Sequence, residues 1–163
     1  MSSDRLRQIE KNLTRLREQL HNKEDTLITI APEERVRINQ QIADLKAEIY
    51  PFEIEYWQLL AEYADTTDVQ EPNPDVVIAE LVEQSTQLQT SDQLSEEVLA
   101  WLQKIYAEVS KPNTSAAAKL KGALSLIPPF VNLTYEAELD TENFLRKYFP
   151  TFTKWSKGLA KKL

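Results

Sequence analysis

The sequence predicts a mainly α protein. An antiparallel coiled-coil hairpin over residues 1–65 is joined to a helical bundle over 66–163, the two forming one compact module, with one short extended or β segment near 130–139. Three observations carry this. Apolar residues recur at helical spacing over most of the 163 residues. Only two glycines, Gly122 and Gly158, are present, too few for a turn-rich β protein. And one stretch, Val131–Leu139, breaks the helical rhythm with strict apolar/polar alternation.

The elements follow in order. Leu6, Ile9, Leu13, Leu16 and Leu20 form an a/d heptad seam, so the chain opens with a helix. A second seam runs through Ile38, Ile42, Leu45, Ile49, Phe52, Tyr56, Leu59 and Tyr63, with Pro32 suited to its first turn and Pro51 inside it. Offset from this seam, Ala43, Ala47, Tyr50, Ile54, Trp57, Ala61 and Ala64 form another stripe, so the second helix is contacted from two sides. The polar stretch Asp65–Asp75 reads as a linker, and Asn73–Pro74 as a cap and first-turn pair for a helix over about 74–88. Leu94, Val98, Trp101, Leu102, Ile105 and Val109 mark another helix, and Leu120, Leu124 and Ile127 the next, which Pro128 and Pro129 stop.

For 131–139 three arrangements are open: pairing with the same strand of another chain, an extended path across the helices, or helical context overriding the alternation. The extended reading expects Val131, Leu133, Tyr135 and Leu139 buried, and Asn132, Thr134 and Glu136 exposed. Asp140 or Thr141 then caps a short helix ending at Pro150, and Phe152, Trp155, Leu159 and Leu163 line a last one.

The net charge of −7 conceals an asymmetry. Residues 144–163 hold six Lys or Arg and no acid, whereas 47–103 hold thirteen acids and no Lys or Arg. A basic tail on an acidic body either folds back or meets an anionic partner. With no cysteine there is no disulfide framework and no thiolate chemistry. The start, MSSDRLRQIEKNL, lacks an apolar leader core, and no run reaches the roughly 18 apolar residues of a membrane span, which gives a cytoplasmic expectation.

Chemistry is sparse. His21 is the only histidine and sits among charged residues, which reads as surface. Without Cys or further His, a metal would need a carboxylate cluster. The pairs Glu33–Glu34, Glu53–Glu55 and Glu96–Glu97 point in different directions on a helix. No catalytic residue, metal site or cofactor is expected, and the chain reads as no enzyme. Gly122, four residues after Ala118, points to a close helix approach.

Two places invite partners. Leu27, Ile28 and Ile30 lie at the far end of the hairpin, either in a local cluster with Val36 or as a patch for another protein. Leu133 and Tyr135 join them if the 131–139 edge pairs with a second copy. The tail interleaves Phe152 and Trp155 with Lys154, Lys157, Lys161 and Lys162. Its aromatics dock on the bundle, or the segment lies on an anionic membrane or another partner; nucleic acid is the least favoured.

The stretch KLKGALSLIPPFVNLTYEAELDTENFLRKYFPTF, with the upstream IEKNLTRLREQL and RINQQIADLKAEI, resembles small helical effector-associated or adaptor modules of cyanobacterial and related bacterial proteins. These accompany nucleotide-binding signalling ATPases, peptidases or repeat arrays. The resemblance rests on about 35 residues and implies protein docking rather than catalysis. The sequence therefore gives, as its expectation, a protein–protein interaction module in a bacterial signalling or defence assembly, with a membrane-acting effector as the alternative.

Overall fold

The computed structural model describes residues 2–64 and 66–163, Ser2 by its backbone alone. It is 82% helical, and no strand occurs among the described residues. Its contacts divide the chain into two units, Met1–Tyr56 and Trp57–Leu163.

In the first unit α1 (Ser2–Thr29) leads through a 3-10 turn (Pro32–Glu34) into α2 (Arg35–Tyr63), which continues through Pro51. The seam residues Leu6, Ile9, Leu13 and Leu16 of α1 and Ile38, Ile42, Leu45 and Ile49 of α2 are buried, as heptad spacing requires. Two ion pairs join the antiparallel helices across the seam. Arg5 donates to both carboxylate oxygens of Glu55, with Nη2 2.8 Å from Oε1, and Arg17 donates to Glu53 at 2.7 Å. The Arg5 hydrogen bond holds the Glu55 carboxyl below its usual value; partial burial opposes this and the Arg5 charge adds to it.

The second unit begins with the end of α2. Of the offset stripe, Trp57, Ala61 and Ala64 are buried here, whereas Ala43 and Ala47 are exposed. Then follow α3 (Pro74–Gln87), a 3-10 turn (Leu88–Thr90), α4 (Glu96–Val109), α5 (Ala116–Ser125), α6 (Ile127–Glu136), α7 (Thr141–Tyr148) and α8 (Pro150–Lys162). Short polar side chains start most of them. Asn73, Ser95, Ser115 and Asp140 accept from the backbone N–H groups of Asp75, Val98, Ala118 and Asn143. Helix α3 packs on α4, α5 and α8, while α6 bridges α4, α5 and α7. Aromatic rings fill the centre. Trp101 stacks on Phe130 at 3.9 Å and donates its indole N–H to the Leu126 carbonyl at 2.8 Å; Phe144 meets Phe130 edge-on.

The extended segment near 130–139 is not there. Residues 127–136 form α6, and 137–139 close its end. Helix α5 ends at Ser125, ahead of Pro128 and Pro129 as expected, but the same prolines sit in the first turn of α6, where their missing N–H groups have no partner to lose. The buried set is Ile127, Phe130, Val131 and Thr134, a 3.6-residue period rather than a two-residue one. Thr134, expected exposed, is 1% exposed; its hydroxyl bonds the Val131 carbonyl and the Thr141 hydroxyl. Leu133 is half-buried, and Tyr135 and Leu139 are exposed. The helix ends in a Schellman motif. Leu139 N–H bonds the Thr134 carbonyl at 2.8 Å, Glu138 N–H that of Tyr135, and Glu138 takes the left-handed φ of 59°.

Candidate functional site

Reactive groups do not converge anywhere in the described residues. No group of three or more His, Cys, Asp or Glu side chains there could hold a metal ion. His21 is exposed on α1, its Nε2 3.4 Å from Asp25 Oδ2 one turn on. A shallow, open depression on α1 is bordered by Asp4, Arg7, Lys11 and Glu18, residues of a single polar helix face. One helix face excludes no water and orients no substrate, so it supplies no catalytic environment.

The hairpin tip has a more distinctive arrangement. Ile28 lies on the last turn of α1 and Val36 on the first of α2, either side of the reversal. They are 76% and 79% exposed, so the tip does not gather into a cluster that buries them. Leu27 and Ile30 are half-buried beneath. Glu34 holds Arg37 at 2.7 Å beside these two uncovered aliphatic side chains.

The two edge candidates separate. Tyr135 is 42% exposed on α6, and Leu133, half-buried, turns elsewhere on that helix. With residues 131–136 helical, the backbone groups needed for strand addition are spent within α6.

The tail also divides by face. Phe152 and Trp155 are 1% and 4% exposed; Phe152 stacks between Trp57 and Trp155. Lys154, Lys157, Lys161 and Lys162 line the outside, and Lys162 reaches back to the Asp68 carbonyl. Of the arrangements open for this segment, Phe152 and Trp155 take the one in which the aromatics dock on the bundle, and only the cations remain outward. Gly158 lets the 66–73 segment approach: a Cβ there would sit 3.3 Å from Val69 Cγ1.

Glu80 was not legible as a special residue. Its two oxygens accept the backbone N–H groups of Thr151 and Phe152, each at 3.0 Å, capping α8 from α3. Phe149, at the N-cap of α8, offers no side-chain acceptor, so the carboxylate does that work across 71 residues. An unpaired capping need at Phe149-Pro150 was the only trace in the sequence.

Compared with family models, with curated proteins and with solved structures, the chain finds no match.

Proposed function

We propose that this chain is a non-enzymatic protein–protein interaction module, an adaptor in a cytoplasmic bacterial signalling or defence assembly, which docks through the tip of its hairpin. The observation that carries the reading is the pair Ile28 and Val36, two branched aliphatics left about three-quarters exposed on either side of one chain reversal. Burying such a side chain fully is worth about 1.5–3 kcal/mol, so a partner with an apolar pocket gains most of its affinity from these two. The tip alone is smaller than the roughly 800 Å² per partner of a standard interface, so it serves as the anchor and flanking residues complete the contact.

The experiment is site-specific photocrosslinking in the native cytoplasm, with the reactive side chain at position 28 and, as control, at the exposed Glu18 of the same helix. The reading expects one dominant protein adduct from position 28, lost with Val36→Glu, which leaves folding unchanged because Val36 is exposed. Equal labelling from both positions, or labelling insensitive to Val36→Glu, would refute it. An adduct of the chain with itself makes the partner a second copy.

A further inference from the structure

Lys154, Lys157 and Lys161 are exposed on α8 and follow one another at three- and four-residue steps. They therefore form a single row about 10 Å long on one side of the helix. None pairs with a carboxylate among the described residues. Arg146 and Lys147 are exposed on the preceding helix, and no acid occurs from 144 to 163. Directly behind the row, Phe152, Trp155 and Leu159 are packed into the core.

From this juxtaposition we infer that the lysine row of α8 is a docking surface for an anionic lipid bilayer, held by charge alone and without insertion of side chains. This goes beyond docking at the hairpin tip and rests on a different unit. The shape selects the partner. The row is the crest of one convex helix, which meets a planar sheet of headgroups along its whole length. A nucleic-acid strand would need aromatic faces on which bases stack, and the rings of this segment are buried. Basic groups are drawn to an anionic leaflet only within about a Debye length, roughly 8 Å at physiological salt. Exposed acids lie on the elements beside α8, Asp75 and Glu83 on α3 and Asp68 and Glu71 on the segment seated at Gly158 and Lys162, so the attraction is confined to close contact with the row itself.

The test is cosedimentation of the intact chain with unilamellar vesicles of phosphatidylcholine, with and without phosphatidylserine, at low and physiological salt. The expected result is binding that requires phosphatidylserine, weakens with salt, and falls about 100-fold in the triple variant Lys154→Gln, Lys157→Gln, Lys161→Gln, each lysine being worth about fivefold. Circular dichroism of the variant should match the parent, since all three side chains are exposed. Brominated lipid should leave tryptophan fluorescence unquenched, because Trp155 stays packed. Absence of binding at low salt, an unaffected triple variant, or quenching by brominated lipid would each overturn the inference. So would equal retention on duplex DNA at the same ionic strength, which would make the row a general polyanion contact.

Discussion

Replacing Glu80 by Ala removes the acceptor of two N–H groups at the start of α8. These are two of the donors that an α-helix leaves unsatisfied in its first turn; Pro150 has none, and Thr153 N–H already bonds the Phe149 carbonyl. Loss of a capping side chain costs about 0.5–2 kcal/mol, and loss of a negative charge at the positive end of a helix about 0.3–1 kcal/mol more. Water reaches part of this site and offsets some of the loss, which places Glu80→Ala near 2 kcal/mol, or about 4–8 °C in melting temperature for a chain of this size. Alanine is the better helix former within α3, so intrinsic propensity works against the effect and cannot create it. Glu80→Gln keeps one acceptor oxygen without the charge and should lose about half as much. Urea unfolding followed by far-UV circular dichroism measures both, with exposed Glu83→Ala as control, expected within about 0.5 kcal/mol of the parent. A loss below about 0.5 kcal/mol in Glu80→Ala, or an equal loss in Glu83→Ala, would show that the carboxylate does not hold α8.

Glu138→Gly should stabilise the chain by about 1 kcal/mol in the same urea assay, because φ of 59° penalises a side chain and glycine is the usual residue there. Gly122→Ala should be neutral or stabilising by up to about 1 kcal/mol, since the atom in the way is the Glu108 carboxylate, a movable end whose partner Lys111 is exposed; a loss above 1 kcal/mol would show that Glu108 is fixed. Glu55 binds its proton less readily folded than unfolded, so its contribution is present above about pH 4.5 and disappears as pH falls through the lower folded value; Glu55→Gln should flatten that acid limb in pH-dependent unfolding. Glu10 has the opposite sign: partial burial raises its pKa and Arg7 opposes this, so Glu10→Gln should add stability at neutral pH.

The hairpin was legible because its signal is repeated: seam residues such as Leu13 and Ile42 recur often enough that local exceptions do not matter. Asn73 was legible as a cap, and Asp140 as one of two with Thr141, because the interaction is local, reaching two or three residues along the chain. Helix α6 was not, for two reasons that reinforce each other. Its N-terminus carries prolines that serve equally as a stop or a start, and its C-terminus places Glu138 where glycine normally announces the end. Without those markers, the chance alternation of Leu133, Tyr135 and Leu139 outweighed a buried set spread over Ile127, Phe130 and Thr134. Among the candidate residues, Ile28 was legible by its place beside a reversal, but its exposure depended on where Val36 points. Docking of Phe152 and Trp155 on the bundle was among the readings open in the sequence, but the partner Trp57 was not, because no local pattern connects it to them.

The seating of residues 66–73 on α8, through Val69 at Gly158 and Asp68 at Lys162, has a kinetic meaning. It joins the beginning of the second unit to its end, whereas α4–α5, α5–α6 and α6–α7 join neighbours in the chain. Helical neighbours can meet early, but a closure across some ninety residues must wait until the intervening chain has condensed, because its entropy is lost before its contacts are gained. The 66–73 segment should therefore latch after the helices have assembled. Its amides should exchange with solvent through openings that leave the Trp101–Phe130 centre intact, giving the unit a seam that opens without unfolding.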